Sequence, residues 1–247
     1  MQARNAYDRQ GLLIIGRIVA QVLDELCLAV RPGMDTAALD ALAGSLLDHL
    51  GAEPTPAKEY GFPGRLCISV NEEVVHGIPG KRVLRDGDLV KLDLTADKQG
   101  FVADATRMAV VGSGGEEAKR LADCTRLACQ AAIEQARPGV ELKQLGGIIE
   151  EFARREGFRV VRELCGHGVG RRTHELPEVP NYSDNANLGV LRQGMVIAIE
   201  PIISAGSGDV MGLADGWTMV TADGSWAGHY EETVIIGEDG AEVVTAC

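Results

Sequence analysis

The feature of this chain that most constrains its fold is an internal repeat at nearly constant spacing. Residues 31–35 (RPGMD) recur as residues 137–141 (RPGVE), 106 positions later. Residues 84–90 (LRDGDLV) recur as residues 191–197 (LRQGMVI), 107 positions later. Nearly equal offsets at two separate places indicate two related halves.

The repeat predicts the domain organisation. We expect residues 1–247 to form one domain with a pseudo-repeat over roughly residues 12–112 and 117–237. Helices followed by strands in each half predict an α+β fold, with helices packed on an antiparallel sheet. The halves would then be related by a pseudo-two-fold axis, with a ligand pocket between them.

Apolar periodicity, caps and turn residues predict the individual elements. The predicted helices cover residues 11–28, 36–50, 113–136 and 142–156. The predicted extended segments cover residues 65–75, 89–96, 101–111, 195–203, 218–221 and 231–236, with a hairpin turn at 97–100 and a loop at 53–63.

Four acidic residues occupy matching places in the two halves. Asp93 and Glu200 each lie three residues after the second repeated segment, in apolar surroundings. Asp104 and Glu231 each precede a threonine by two positions and lead into an apolar run. We expect Asp93 and Asp104 to face each other across the hairpin, because cross-strand neighbours are about 5 Å apart.

Carboxylates gathered on one buried patch need neutralisation. One such acid alone is more often a salt-bridged surface group, but a matched set of four would repel strongly unless protons or cations intervene. The set predicts a pair of divalent ions, with Mn²⁺, Fe²⁺, Co²⁺ and Zn²⁺ all compatible with an oxygen-rich site that has one imidazole.

Three of the five histidines lie in loops rich in glycine or proline. They are His76, His167 and His174, and together with the acids they favour a functional site. His49, on a predicted helix, and His229 receive no assigned role, although His229 is near enough in sequence to the last acid to support a ligand.

Composition excludes several classes of protein. A net charge of −12 without a Lys/Arg block opposes binding to nucleic acid or to an anionic membrane. The N-terminal residues lack a secretory pattern, and no uncharged apolar run reaches the ~18 residues of a membrane span. The six cysteines form no C-x-x-C pair, which predicts free thiols and a cytoplasmic location.

The combined motifs resemble type I methionine aminopeptidase over nearly the whole chain, in its short bacterial form. The resemblance implies the pita-bread fold, N-terminal methionine excision, nascent polypeptides at the ribosome as substrates, and a monomer. The motifs are Asn71-Glu72-x-Val74-x-His76-Gly77-Ile78-Pro79, Asp93 and Asp104 eleven residues apart, Gly166-His167-Gly168-Val169-Gly170, His174-Glu175-x-Pro177, Ile199-Glu200-Pro201 and Tyr230-Glu231-x-Thr233.

The same resemblance implies roles for the site residues. One ion would be held by Asp104, His167, Glu200 and Glu231, and the other by Asp93 with Asp104 and Glu231 bridging. Glu200 would accept a proton from the attacking water. In this family pattern His76 and His174 bind and polarise the substrate amide, stabilising the tetrahedral intermediate or protonating the leaving amine.

The methionine pocket implied by the resemblance contains two departures from the family pattern. Phe62, Cys67 and Trp217 match positions that line the side-chain pocket, although plain core packing explains the two aromatic residues equally well. Thr173 replaces a residue that is usually apolar, and Glu59 replaces an aromatic one. We therefore hypothesise that the metal chemistry is intact while the specificity for methionine is loosened.

Other functions remain open at the level of the sequence. A proline-specific aminopeptidase or prolidase of the same fold usually carries a large N-terminal domain, whereas here the repeat starts at once. A non-catalytic peptide-binding relative would be expected to lose ligands, but all five predicted ligands are present. A nucleic-acid-binding module is opposed by the acidic charge.

Overall fold

A computed structural model describes residues 1–183 and 188–246. The helices are α1 (Ala6–Ala29), α2 (Thr36–Leu50), α3 (Thr55–Tyr60), α4 (Glu116–Gln135) and α5 (Leu142–Arg155). The strands are β1 (Glu53–Pro54), β2 (Cys67–Val70), β3 (Glu73–Val75), β4 (Leu89–Lys98), β5 (Phe101–Val110), β6 (Arg159–Val160), β7 (Gly166–Gly168), β8 (Glu175–Val179), β9 (Val196–Ile199), β10 (Ile202–Ser204), β11 (Val210–Gly212), β12 (Met219–Thr221), β13 (Ala227–His229), β14 (Glu232–Ile236) and β15 (Ala241–Val243).

The first two helices form where the sequence supplies caps and one apolar face. Asn5 caps α1 by accepting a hydrogen bond from the amide of Asp8, and Asp35 caps α2 in the same way from Ala38. Gly51 ends α2 in the left-handed conformation, with φ of 63°. The apolar faces of both helices pack on β2, β4 and β5 in one buried core.

The strands β4 and β5 form a hairpin of ten residues per strand. Gln99 and Gly100 make the turn, both with positive φ, so the turn is tighter than the predicted segment 97–100. Asp104 pairs with Thr95 rather than with Asp93, whose partner is Thr106. The two acids therefore share one face of the hairpin as diagonal neighbours instead of facing each other directly.

The C-terminal half repeats the arrangement with shorter strands. Its main sheet has the order β15-β14-β9-β7-β8. The helices α4 and α5 pack with β9 and β14 in a second buried core. Two smaller three-stranded sheets, β13-β10-β6 and β11-β12-β3, complete the strand pairing of the described residues.

Matching backbone hydrogen bonds occur in the two halves, with donors that lie 106 or 107 positions apart. The first two pairs connect the turn before the second helix of each half to the segment that leads into the acid-bearing strand. The matching bonds are Gly33 N to Leu84 O (2.8 Å) and Gly139 N to Leu191 O (2.9 Å), Leu84 N to Met34 O (2.8 Å) and Leu191 N to Val140 O (2.8 Å), and Gly87 N to Val111 O (2.8 Å) and Gly194 N to Ile236 O (2.7 Å). On this basis we propose that residues 12–112 and 117–237 are two copies of one unit within a single domain.

The two halves meet at β5 and the start of β14. Thr106 and Glu231 form an isolated antiparallel bridge with hydrogen bonds of 3.3 and 3.2 Å between their backbones. The hydroxyl of Thr233 accepts from the amide of Asp104 at 3.0 Å and donates to its carbonyl at 2.7 Å. This seam brings Asp104 and Glu231 side by side.

Three predicted segments differ in the structure. The extended segment 65–75 divides into β2 and β3, with a turn at Asn71 and Glu72. Residues 53–63, predicted as a loop, contain β1 and α3, because prolines at the start of a short helix cost no hydrogen bond and Gly61 ends it with φ of 74°. The predicted strand 195–203 is interrupted at Glu200 and Pro201, where proline has no amide hydrogen to donate.

The remaining predictions about the chain concern thiols and membrane spans. Cys27, Cys67, Cys124, Cys129 and Cys165 are free thiols, whereas Cys247 lies outside the described residues. Within the described ranges, no helix has both the length and the apolar composition that a membrane crossing requires.

Candidate metal and substrate site

A cavity of about 290 Å³ lies between the two halves and is lined by all the predicted catalytic, metal-binding and pocket residues except Glu59. Its lining includes the four acids, three predicted histidines and the pocket residues, together with His229, Tyr60 and several apolar side chains. The predicted residues in the lining are Phe62, Cys67, His76, Asp93, Asp104, His167, Thr173, His174, Glu200, Trp217 and Glu231.

The acids reach the cavity from strands of both halves. Asp104 is 4% exposed, Glu200 8% and Glu231 1%. Burial raises the pKa of each carboxyl above its ordinary range, and for Glu231 the charges of Asp104 and Glu200 raise it further. Burial also raises the pKa of Asp93, as do the neighbouring charges of Asp104 and Glu200.

His167 lies against three of these acids. Its Nε2 is 3.4 Å from Glu200 Oε1, 3.9 Å from Glu231 Oε1 and 3.9 Å from Asp104 Oδ2. Its Nδ1 is 2.9 Å from the carbonyl oxygen of Gly168, which can only accept, so Nδ1–H donates there and Nε2 faces the carboxylates. A histidine that is oriented by a backbone carbonyl and directs its other ring nitrogen at carboxylates has the arrangement of a metal ligand.

The donor set fits divalent cations. Potential ligand atoms of Asp104, His167 and Glu231 lie within 4.8 Å of one another. Asp104 Oδ1 and Glu231 Oε1 are buried and have no hydrogen-bond partner among the described residues. Leaving such oxygens unpaired costs free energy that a bound cation would offset, and carboxylate oxygens with imidazole suit first-row divalent metals.

His229 was not predicted as a site residue. Only 2% of its surface is exposed, and its Nε2 is 3.3 Å from Glu200 Oε2 and 3.8 Å from Glu231 Oε2. The spacing His229-x-Glu231 was the available signal, because residues two apart in extended backbone lie on the same side. Burial is the main cause that lowers the pKa of His229 to about 3.

His174 and His76 lie on other walls of the cavity. The ring of His174 is centred 4.3 Å from that of His167, and its Nδ1 is 2.8 Å from the hydroxyl of Tyr60. Burial, and then the charges of His167 and His76, lower the pKa of His174 to about 4. His76 has φ of 57°, a conformation that costs energy for a residue with a side chain and is typical of functional positions.

The far end of the cavity is apolar. Phe62 and Trp217 meet edge to face with ring centroids 5.2 Å apart, and Cys67 lies beside them on the strand that pairs with Asp93. Thr173 lines the cavity, but its hydroxyl is 2.7 Å from that of Thr55 and is thereby satisfied. These side chains and the acid cluster line the same cavity.

Glu59 occupies a different place from the one that the sequence suggested. It does not line this cavity, and its carboxylate accepts a hydrogen bond of 3.2 Å from the amide of Thr173 on the outer side. A carboxylate stays outside because water solvates it there, whereas burial beside the apolar rings would cost several kcal/mol. Tyr60, the next residue, faces the cavity instead.

Sequence comparison finds related proteins that match this chain over most of its length. The profile of metallopeptidase family M24 matches residues 10–238. The methionine aminopeptidase of Clostridium perfringens is 44% identical, with 93% of this chain and 92% of that protein covered. Methionine aminopeptidase 1 of Bacillus subtilis is 41% identical, with 93% of each covered.

Structural comparison gives the same result. The crystal structure of a methionine aminopeptidase from Thermotoga maritima superposes with a TM-score of 0.96 at 38% identity and covers 100% of both chains. This agreement confirms the pita-bread fold expected from the motifs. The chain therefore belongs to metallopeptidase family M24 and groups with its methionine aminopeptidases.

Proposed function

We propose that this protein removes the N-terminal methionine from nascent polypeptides by metal-dependent hydrolysis of the first peptide bond. The observation that carries the proposal is a single cavity lined both by a buried acid and imidazole cluster and by apolar side chains. Membership of family M24 makes the chain a metal-dependent hydrolase.

The proposed centre holds two divalent ions. Asp104, His167, Glu200 and Glu231 would hold one, and Asp93 the other, with Asp104 and Glu231 shared between them. Bound ions of this kind polarise the substrate carbonyl and lower the pKa of water so that hydrolysis proceeds near neutral pH. The donor set is compatible with Mn²⁺, Fe²⁺, Co²⁺ or Zn²⁺.

Protein groups around the cluster supply proton transfer and charge stabilisation. Glu200 lies within the cluster, where its carboxylate can take the proton of the attacking water. His76 and His174 have lowered pKa values and are therefore neutral near pH 7, with one N–H each. We assign them the role of donors that orient the substrate amide and stabilise negative charge on its oxygen.

The apolar end of the cavity would hold the methionine side chain. Phe62 and Trp217 offer ring edges and faces to a thioether, a contact worth about 0.3–1.5 kcal/mol. Thr173 adds a wall whose hydroxyl is already bonded to Thr55, so it presents little polarity to the substrate. In this geometry Thr173 does not favour a loosened specificity.

A second candidate is an aminopeptidase of the same fold with a broader N-terminal preference, which Thr173 in the cavity wall keeps open. Turnover of peptides that begin with Met, Leu, Ala or Pro distinguishes the two. Strict preference for methionine supports initiator excision, and comparable turnover of leucine and methionine peptides supports the broader enzyme. Thr173→Val keeps the side-chain shape and controls for the hydroxyl.

The proposed function is tested with a Met-Ala-Ser peptide. The protein is chelated and then restored with Mn²⁺ or Co²⁺, and free methionine is measured. Metal-dependent release supports the proposal. Bound ions without release from any peptide point to a non-catalytic relative, and failure to bind ions contradicts the metal assignment.

The cellular setting is part of the same proposal. We infer that the enzyme acts as a monomer on chains emerging from cytoplasmic ribosomes, because that is where N-terminal methionines first become accessible. Co-sedimentation with translating ribosomes tests action at the ribosome, and light scattering of the free protein tests the monomeric state. A stable oligomer in solution would contradict the proposed monomer.

A further inference from the structure

Two imidazoles, not one, face the acid cluster. His167 Nε2 approaches Oε1 of both Glu200 and Glu231, at 3.4 and 3.9 Å. His229 Nε2 approaches Oε2 of the same two carboxylates, at 3.3 and 3.8 Å. Each glutamate thus presents one oxygen to each ring.

The His229 ring lies close enough to two carboxylates to bind a metal ion together with them. Potential ligand atoms of Glu200, His229 and Glu231 lie within 4.8 Å of one another, the same limit that the Asp104, His167 and Glu231 set satisfies. All three members of the His229 set are buried. These residues therefore form a second set of potential metal ligands, which shares Glu231 with the first set.

Apart from the two carboxylates, His229 has few hydrogen-bond partners within the described residues. Its Nδ1 is buried without a partner among the described residues, and the hydroxyl of Thr106 lies 3.5 Å from its Nε2. That hydroxyl already donates to Glu231 Oε2 at 3.0 Å. A bond from Nε2 to a cation would offset part of the free-energy cost of burying this imidazole.

We propose that His229 is a further metal ligand, which binds a divalent ion through Nε2 together with Glu200 and Glu231. The proposal rests on the proposed function, because it concerns the same metal centre. It makes the centre richer in nitrogen than the five predicted ligands alone. Imidazole favours Co²⁺ and Zn²⁺ over Mn²⁺, so His229 would shift the metal preference in that direction.

Metal binding tests this assignment without measuring activity. Chelated wild-type protein, His229→Ala and His229→Gln are titrated calorimetrically with Co²⁺ and, separately, with Mn²⁺. In both His229 variants we expect the affinity for one of the two ions to fall by roughly 10–100-fold or more. Loss of a residue that only supports a ligand already has an effect of about that size. The fall should be larger for Co²⁺ than for Mn²⁺. His49→Ala, on the exposed face of α2, is the matched control.

Pulsed electron paramagnetic resonance of the Mn²⁺-loaded protein counts the coordinated nitrogens directly. We expect couplings to two imidazoles in wild type and to one in His229→Gln. A single imidazole in wild type overturns the proposal even if neither His229 variant folds. Unchanged nitrogen couplings in a variant with weakened affinity also overturn it, because His229 would then act only by holding Glu200.

The outcomes separate this inference from the proposed function. Wild type that binds two ions and hydrolyses Met-Ala-Ser, with His229 variants that bind both ions as tightly, contradicts the inference alone. Wild type that binds no ion contradicts both.

Discussion

Each half of the molecule contributes two carboxylates to the cluster, but the histidines are divided unequally. Asp93 and Asp104 come from the N-terminal half and lie on the long uninterrupted hairpin β4–β5. Glu200 and Glu231 come from the C-terminal half, just outside the paired ends of β9 and β14. Of the four histidines in the cavity lining, only His76 belongs to the N-terminal half.

The two halves differ in how rigid their strands are and in which kinds of side chain they contribute. A continuous hairpin with ten register pairs fixes two short aspartates on one face but leaves no room for loops there. The C-terminal half breaks its strands beside the cluster, and the breaks carry the longer glutamates. Its three imidazoles lie on or directly beside the short strands β7, β8 and β13. Both copies of the unit thus supply carboxylates, whereas three of the four imidazoles in the cavity lining come from the C-terminal copy.

The largest effect is expected when a carboxylate of the N-terminal half is removed. Asp104 is buried at the seam next to Glu231, so Asp104→Ala should release both ions and abolish measurable turnover. Loss of an outer partner of a ligand already costs about 10–100-fold, and this change removes a shared ligand. Metal content after desalting and methionine release are the measurements.

Its control lies on the other strand of the same hairpin. Asp97→Ala changes an aspartate near the hairpin turn, at the position paired with Val102 and away from the cluster. It should keep both ions and its activity. Retention of two ions at full affinity in Asp104→Ala would show that the proposed ligand set is wrong.

A smaller effect compares the histidine of one half with that of the other. His174→Ala should lower kcat by about 10²–10⁴ while both ions remain bound, because it removes a donor to the reacting amide rather than a ligand. His76→Ala should do the same if the two histidines act on the same substrate group. Equal loss of metal in His174→Ala would place that ring among the ligands.

The repeat explains which parts of the site could be predicted. The four acids were located because each has a counterpart at the matching position in the other half. His229 has no such counterpart: counted back by the spacing between Asp104 and Glu231, its position is held by the buried apolar Val102. A pattern that depends on duplication cannot identify a residue present in one copy.

Local sequence rules failed at α3 for a related reason. Its prolines and the following glycine predict a loop when taken one by one, although proline is compatible with the first turn of a helix. The helix matters for the site because it carries Tyr60 to His174, a contact between residues 114 positions apart. Pairings over such distances depend on the packing of the two halves, which local propensity does not encode.

The charge that both halves contribute predicts an unusual dependence of stability on pH. Burial raises the pKa of Glu200 from 4.5 to about 8, and the other three acids shift in the same direction. Between those values the folded metal-free protein binds more protons than the unfolded chain, so the free energy of unfolding falls as pH rises. We expect a loss of about 1–3 kcal/mol between about pH 6.5 and about pH 8.

Thermal melting of chelated protein measures that loss, and a change of about 1 kcal/mol corresponds to about 2–4 °C for a chain of this size. Glu231→Gln removes one of the repelling acids, so it should raise the melting temperature of the chelated protein and flatten the dependence. Metal-loaded wild type should be more stable throughout, because the ions bind only the folded state. Higher stability at about pH 8 than at about pH 6.5 in chelated wild type would contradict the burial of four close carboxylates.

The smallest effect is expected at Tyr60, whose hydrogen bond to His174 connects the two halves. Its hydroxyl lies 2.8 Å from His174 Nδ1, and when the phenol donates, the ring proton of neutral His174 must lie on Nε2, the nitrogen on the other side of the ring. Tyr60→Phe removes this orientation but keeps the ring and the apolar rim. A neutral hydrogen bond is worth about 0.5–1.5 kcal/mol, so kcat should fall by roughly 2–10-fold with KM little changed. Tyr7→Phe, at a tyrosine that is 70% exposed, is the control. A change confined to KM would mean that Tyr60 contacts the substrate itself, and no change in either constant would mean that packing alone fixes the His174 ring.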